Sequence, residues 1–514
     1  MRMRAWRAGV ATAMALAFAA CGGGGSDGSS EGGSGGTRYR LAVSVSGAGR
    51  VVSAPGGIDC GSQCEANLPA GSTVVLTATP AAGQQFDGFT GACSGTSCTL
   101  RLDADARVSA RFSAAPVVKA CDEDPDAPTA PLQHYRGLIH AHTAYSDGDI
   151  RSKPHDVFQA AYDQQLSFAA VTDHSDTLNG LLYISVGSDC FSSLQGLLTC
   201  LVPQAGDFRK WEMTQQQIDA DRSDRFLPIR GFEWTSDRFG HINVLFGRNF
   251  SNAKFDGGYL LTMDTFWSWL ARAPGPDATP GVTALGGGAD SLAIFNHPGD
   301  KCLSDSDAGC NWNDFAYIDS VDAQMVGIEL ANDHRHDRYA DDYMRALDRG
   351  WHVGAVGAED MHDTTWAQPQ HPKTVVLAES LDDAAFKKAM QARRMYALVS
   401  NQPNEDLRIT LDAEGHAMGS RLSCSAGKTV PLRVHVTLAS GAPFSGILRL
   451  YDRADPQAPL ADGPGSPLAT ISGDTLEYAL PVAAEGEHWF FVRVDNASGE
   501  SLAYTSPIWI RARP

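Results

Sequence analysis

The sequence predicts an α/β domain set between two β-rich segments, on three observations. From about residue 134 to 403, short apolar runs alternate with longer amphipathic stretches, as strands alternate with helices in an α/β layer or barrel. On either side, apolar residues recur at every second position between turns rich in Gly, Pro and Asn, as in half-buried strands. Finally, the polar residues of the middle stretch gather at the ends of its apolar runs. A chain of 514 residues is too long for one ordinary core, so two to four domains are expected. The formal net charge of -19 argues against a nucleic-acid partner, which needs a basic face, and favours cations as cofactors.

In chain order, Arg2, Arg4 and Arg7 precede an apolar run over 9–20 that is too short to span a bilayer. Ala19 and Ala20 lead into Cys21, with Phe18 where leucine is usual. The pattern resembles a bacterial lipoprotein signal, which implies export, lipidation of Cys21 and a periplasmic or outer-membrane-anchored protein. A plain secretory signal over 1–20 is the alternative. Residues 21–37 are Gly- and Ser-rich and read as a flexible tether. Over 38–115, strands are expected around Leu41, Val43 and Val45, Val74 and Leu76, Leu100 and Leu102, and Val108, Ala110 and Phe112. The segments GAGRVVSAPGGIDCGSQC, TVVLTATPAAGQQFDGFTGACSG and VSARF resemble one divergent InlB-type bacterial repeat, a surface spacer or adhesive module without chemistry of its own. Residues 116–133 form a Pro- and Asp-rich linker. After about 404 the alternating strands of a β-sandwich return, at 407–411, 430–438, 446–451, 488–494 and 503–510.

Four close cysteine pairs, Cys60 with Cys64, Cys93 with Cys98, Cys190 with Cys200 and Cys302 with Cys310, suit local disulfides in an oxidising compartment. The first four could also bind metal as a ribbon, but their spacing and glycine-rich loops favour disulfides. Cys121 and Cys424 remain, and could join each other.

Within the α/β stretch, strands are expected at 137–142, 167–173, 226–233, 241–246, 292–297, 325–330 and 352–358. Helices are expected at 155–165, 263–273, 339–349 and 382–394. The strand ends carry His140-Ala-His142, Asp173-His174, Glu233, Asn296-His297 and Glu359-Asp360 with His362. Alternate residues of a strand share a face, so His140 and His142 can grip one ion together. An apolar strand has no structural use for imidazole or carboxylate at its end, whereas neutral nitrogen and anionic oxygen are what Zn, Mn or Fe needs. A lone His-x-His is weak, and an isolated Glu233 is more often a salt-bridge partner. Five such ends in order point to a metal site.

The motifs LIHAHTAYSDG, AVTDHSD, GFEWTS with GHINVLF, IFNHPGD and VGAEDMHD resemble the ordered motifs of the polymerase-and-histidinol-phosphatase (PHP) superfamily. VGIELAN, and ARRMYALVSN followed by AMGSRL, add to the likeness. The chain is most similar there to the exported CehA/McbA-type metallohydrolases, over about residues 134–420. The resemblance implies a distorted seven-stranded β/α (TIM-like) barrel with about two to three divalent metal ions at its strand ends. His140, His142, Glu233 and Asp360 would hold the first ion. Glu233, His241 and His297 would hold the second, and Asp147, His174 and His362 the third. Asp147 follows the His pair in a Ser-Asp-Gly turn that can fold back over the strand end. His241 stands apart because it begins a strand where the others end one. Asp173 is expected to orient a neighbouring ligand.

Two ions about 3.5–4 Å apart, with Glu233 and a solvent oxygen between them, would acidify that water into a hydroxide nucleophile. Asp360 is the candidate for proton transfer. The segment lacks a Gly-x-Ser-x-Gly elbow, so no serine nucleophile is expected. The expected activity is hydrolysis of a small-molecule phosphoester, since cations suit its charge. Carboxylic or carbamic ester hydrolysis is the alternative, because only Arg238 and Lys301 offer themselves as a phosphate clamp. His334 and His336 are candidate substrate contacts or simply part of a solvated charged loop. A surface binding protein that has kept the fold without catalysis is the reading of another class.

Overall fold

The computed structural model describes residues 36–114, 120–122, 127–178, 208–254, 258–275, 286–302, 304, 307–333, 337–399, 407–452, 466–483 and 485–513. The leader, most of the tether, Cys21, the Cys190/Cys200 pair, His334 and His336 lie outside the described residues. The chain divides into two compact units, Met1–Val118 and Lys119–Pro514.

The first unit holds β1 (Arg38–Ser46), β2 (Gly49–Ala54), β3 (Asp59–Cys60), β4 (Glu65–Pro69), β5 (Thr73–Pro80), β6 (Gln84–Gly91), β7 (Cys98–Arg101) and β8 (Ala106–Ala114). They form two four-stranded sheets, ordered β4-β1-β8-β6 and β3-β2-β5-β7. The expected alternation is present: Val108, Ala110 and Phe112 point inward from β8 and join Leu41, Val51, Val74 and Phe89 in one core. Cys60–Cys64 and Cys93–Cys98 are disulfides, so these cysteines form no metal ribbon.

The second unit is mixed α/β and strand-rich. Its seven leading strands are β9 (Gln133–Leu138), β10 (Phe168–Val171), β11 (Leu227–Ser236), β12 (Gly240–Leu245), β13 (Leu292–Asn296), β14 (Met325–Ala331) and β15 (Gly354–Gly357). They lie side by side in chain order. An all-parallel arrangement is not what they form. β12 runs antiparallel to both β11 and β13, because a hairpin too short for a crossover joins it to β11. The two ends of the row meet just past the strands: Asp360 N–H donates to His140 O at 3.0 Å, and His142 N–H to Met361 O at 3.1 Å. Ile139, Phe168, Ile229, Ile294, Val326 and Val356 fill one shared core with no more than 2% exposure. Phe168 packs so tightly that a Cβ on Gly137 would stand 2.4 Å from its ring, so this neighbour must be glycine.

The helices Pro154–Asp163, Asp264–Ala271, Ala340–Asp348 and Asp383–Gln391 fall where the periodicity puts them, and a further one, Arg209–Asp221, follows an expected loop. Two antiparallel strands, β16 (Lys373–Ala378) and β17 (Met395–Leu398), extend the sheet beyond β9. β17 then pairs with a strand at Ser501–Thr505, so one sheet runs on into the C-terminal region. A separate four-stranded sheet there, built on Leu407–Ala413 and Thr429–Leu438, packs against it through Ile409, Val434, Leu450 and Val492. The expected strand at 503–510 is broken into Ser501–Thr505 and Ile508–Ala512, because Pro507 between them cannot donate to a ladder. Cys302–Cys310 and Cys121–Cys424 are bonded, making four disulfides among the described residues, which favours an extracellular or periplasmic setting. Among the described residues, no helix is long and apolar enough to cross a membrane.

Candidate metal centre

The site assembles at one edge of the seven strands. β9 ends at Leu138, and the chain beyond it carries His140 and His142 into the interior, both wholly buried. Glu233 lies within β11, His241 opens β12, and His297 follows β13. Because β12 is reversed, its first residues lie at the same edge as the last residues of its neighbours: His241 pairs with Thr235 on one side and Asn296 on the other. That resolves the anomaly of a ligand candidate at a strand start.

The donor atoms converge. His140 Nε2 stands 3.1 Å from Asp360 Oδ1, 3.2 Å from Glu233 Oε1 and 3.1 Å from His142 Nε2. His142 Nε2 stands 3.0 Å from Asp360 Oδ1 and 3.6 Å from Glu233 Oε2. Ligands around a tetrahedral ion with bonds of about 2.1 Å are separated by about 3.4 Å, so His140, His142 and Asp360 have the spacing of one coordination shell, and His140, Glu233 and His297 that of another. Glu233 Oε1 also lies 3.1 Å from His241 Nδ1 and 3.2 Å from His297 Nε2, and Glu233 Oε2 lies 2.8 Å from His174 Nδ1. One carboxylate is thus shared between two sets of imidazoles. A third group is looser: Asp147 is 3.5 Å from His174 Nε2, 3.4 Å from His362 Nε2 and 3.8 Å from His142 Nδ1. Asp147 gets there through the expected tight turn. Gly148 N–H donates to Thr143 O at 2.9 Å, and a Cβ on Gly148 would stand 2.7 Å from the Thr143 backbone.

Charge and burial prepare these groups for a cation. Burial alone would raise the Glu233 carboxyl, but the surrounding rings of His241, His140 and His174 hold it well below the usual range. Asp360 is likewise held down against its burial by His140 and His142. Burial pushes His241 down to about 4, against the pull of Glu233, and lowers His142, with His174 and His362 adding repulsion. Both are therefore neutral, lone-pair-bearing rings near neutral pH. His140 is raised despite burial by Asp360, Glu233 and Glu329, so it takes up a proton where a cation would otherwise balance those carboxylates. His241 Nε2 and His297 Nδ1 are buried without a hydrogen bond among the described residues. These His-rich buried groups fit divalent metal ions.

The supporting residues explain the orientation. Asp173 accepts from Thr143 N–H at 2.7 Å and from Ser146 Oγ at 2.7 Å, and Ser146 in turn meets His142 Nδ1 at 3.2 Å. Asp173 was expected to orient a neighbouring ligand, and this hydrogen-bonded path leads from it to His142. Glu329, absent from the expected site, is wholly buried in β14 and meets His140 Nδ1 at 2.7 Å. Its other oxygen accepts from His297 N–H and from Asn332 Nδ2, each at 2.8 Å. The signal for it was a lone carboxylate in the apolar run VGIELA. Asn296, also unassigned, donates to Glu233 Oε1 at 2.8 Å. His140, His297 and Asp360 have φ of 77°, 28° and 50°, a left-handed backbone that non-glycine residues adopt rarely and at a cost of about 1–3 kcal/mol each.

Arg238 does not join the site. Its guanidinium lies 3.0 Å from both oxygens of Asp307 and also donates to Leu260 O, so it is already committed. A cavity of about 370 Å³ opens beside His297, Asp360 and His362.

Residues 40–116 match the family model of the divergent InlB B-repeat domain, which covers the N-terminal module. No curated protein matches the chain. Among solved structures, the chain is similar to a two-domain protein from Bacteroides vulgatus containing a predicted PHP-like metal-dependent phosphoesterase. The identity is 16% and the TM-score 0.37, over 77% of this chain and 100% of that one. It is also similar to PsfC from Pseudomonas syringae, at 11% identity and a TM-score of 0.32, over 52% of this chain and 93% of that one.

Proposed function

We propose that the chain is an exported metal-dependent hydrolase, with phosphoesters as its substrates and a distorted β/α barrel as its scaffold. The observation that carries this is the clustering of His140, His142, Glu233 and Asp360: His140 Nε2 lies 3.1–3.2 Å from His142, Glu233 and Asp360, His142 Nε2 lies 3.0 Å from Asp360, and Glu233 reaches a second set of rings. His140, His142, Glu233 and Asp360 would hold one ion, and Glu233, His241 and His297 a second. Asp147, His174 and His362 would hold a third, with Zn, Mn or Fe all suited to these donors. Such ions supply Lewis acidity toward a phosphorus or carbonyl centre and lower the pKa of solvent in the site.

The protein's own groups do the rest. Asp360 reaches the cavity with 18% of its side chain exposed, where it can take a proton from an attacking water. Glu329 fixes the ring of His140, and Asp173 fixes His142 through Ser146. Hydrolysis of carbamic or carboxylic esters is the second reading, favoured by the commitment of Arg238 to Asp307, which leaves few cations for a phosphate.

Elemental analysis of protein purified without chelator should find about two or three transition ions per chain. A panel of phosphate, carboxylate and carbamate esters then tests the reaction. Turnover of the last two alone overturns the phosphoester reading, and a metal-free protein that Mn or Zn does not activate overturns the hydrolase itself in favour of a binding protein.

A further inference from the structure

Among the described residues, the metal groups end at His362, and the C-terminal region lies outside them. That region is nevertheless fastened to the chain that follows β14. Asp337 Oδ2 accepts from Ser501 Oγ at 2.6 Å and from Tyr504 OH at 2.8 Å, both on the strand Ser501–Thr505. Burial would raise the Asp337 carboxyl, but these two hydroxyls hold it below its usual range. Further along, Tyr343 OH donates to Thr505 O and Trp489 Nε1 to Asp348 Oδ1, each at 3.1 Å, so the helix Ala340–Asp348 is bonded to the same sheet along its length. The sheet itself is tied to the seven-stranded row, because Tyr396, Ala397 and Leu398 of β17 pair with Thr505, Tyr504 and Ala503.

The two residues after Asp337 reach a third segment. Arg338 Nη2 lies 3.1 Å from Asp300 Oδ1, and Tyr339 OH donates to Asp300 Oδ2 at 2.7 Å. Asp300 belongs to the chain after β13 and Arg338 to the chain after β14, and both line the cavity that holds His297 and Asp360. One carboxylate thus ties the two segments together. The Arg338 side chain is 57% exposed, and an ion pair so open to water contributes little by itself. Hydroxyls donating to a half-buried carboxylate are stronger bonds. The backbone at Asp337, rather than the Arg338 pair, is therefore the point at which this wall is held.

We propose that the C-terminal sheet is a working part of the hydrolase: Ser501 and Tyr504, acting through Asp337, are positioning residues that fix where Arg338 and Tyr339 meet Asp300, and with them the shape of the space that admits substrate. The proposal rests on the hydrolase reading above, whichever ester is cleaved. It gives the C-terminal region a task that neither a spacer nor an adhesive module would have.

The test uses the full chain loaded with Mn and the ester of the panel that wild type turns over fastest. S501A/Y504F should raise KM about tenfold, as loss of a charged hydrogen bond implies, while kcat changes by less than about threefold and metal content stays at the wild-type value. In a D337A background the same two substitutions should move KM by less than about twofold, because the carboxylate they act through is gone. W489F breaks a hydrogen bond of the same interface at the far end of the helix and should leave KM unchanged. A second readout needs no turnover. The amides of Tyr339 and Ala340, which donate to Leu330 O and Asp337 O at 3.1 Å each, should exchange with deuterium about tenfold faster in S501A/Y504F. Unchanged exchange overturns the clamp itself. Faster exchange with an unchanged KM overturns the positioning role, as does a KM effect that persists in the D337A background or that W489F reproduces. A metal-loaded wild type that cleaves no ester overturns the hydrolase reading, and the role in admitting substrate falls with it, while the exchange result still decides the clamp.

Discussion

His140, Glu233 and His297 are sealed from solvent, with no more than 4% of any side chain exposed, whereas Asp147 and His362 are 43% and 40% exposed. The two regions share His142, whose ring stacks on that of His362 at 4.2 Å between centroids. They nevertheless face opposite costs. A sealed carboxylate must be balanced by a proton or a cation, because stripping it of water without compensation costs several kcal/mol. An exposed carboxylate can be left to water. A metal ion at the sealed donors would therefore be tied to the integrity of the fold, and one at the exposed group would be open to exchange.

Glu233→Gln breaks that contrast at its strongest point. The buried bridge between the two sets of rings loses its charge, so metal should fall to about one ion per chain and turnover should drop about 10³-fold. Unchanged metal content by elemental analysis would show that Glu233 is not shared between ions. Glu329→Gln acts one step removed, by loosening the ring of His140. A loss of about 10–100-fold in metal affinity is expected in a chelator titration, without loss of the ion count at saturating metal. His362→Ala sharpens the comparison from the exposed side. It should remove about one ion per chain while shifting stability by no more than about 0.5 kcal/mol in denaturant melts, since the residue is half in water. If the whole complement left with it, the three groups would be one cooperative site rather than a sealed part and an open one.

The smallest effect lies outside both regions. His352 is buried between Asp322 at 2.8 Å and Glu487 at 2.7 Å, and these carboxylates raise its pKa against the burial that would lower it. A raised histidine contributes stability in full below its unfolded value of 6.5 and loses it as pH rises through the folded value. Asp322 and Glu487 are both lowered by His352 against their burial, so their share is present above their unfolded values of 3.8 and 4.5 and lost on acidification. The Tm should therefore peak in mildly acidic buffer and decline toward pH 9, and His352→Asn should flatten the alkaline side. A wild-type Tm that climbs steadily from pH 6 to 9 would contradict this.

Much of this was legible from residue order. All seven leading strands fall within a few residues of the apolar runs that predict them, because strands covered on both faces write themselves as unbroken hydrophobic stretches. Strand direction was not so written. It lay instead in a gap: the seven residues between the expected strands 226–233 and 241–246 are too few for a parallel crossover, so a hairpin with β11 reverses β12 and accounts for His241. Glu329 was hidden: a single glutamate in VGIELA carries no trace of the histidine it will meet 189 positions earlier in the chain. Arg238 failed in the opposite sense. A free-looking cation is consumed by Asp307, 69 residues further on, a pairing that only the folded chain creates. Local pattern reveals which groups are polar and where a strand stops. Which of those groups remain unspent depends on long-range partners.

The Cys121–Cys424 bond has a mechanical consequence. It closes a loop of chain with a sequence separation of 303 that contains every proposed metal ligand. A pull arriving from the N-terminal side reaches Cys121 and then passes directly through sulfur to Cys424 and its strand, Arg421–Cys424. The strands that carry the histidines are shunted out of the tension path. A chain held from its N-terminal side and exposed to drag would thus keep its donor spacing under forces that shear the segments outside that loop.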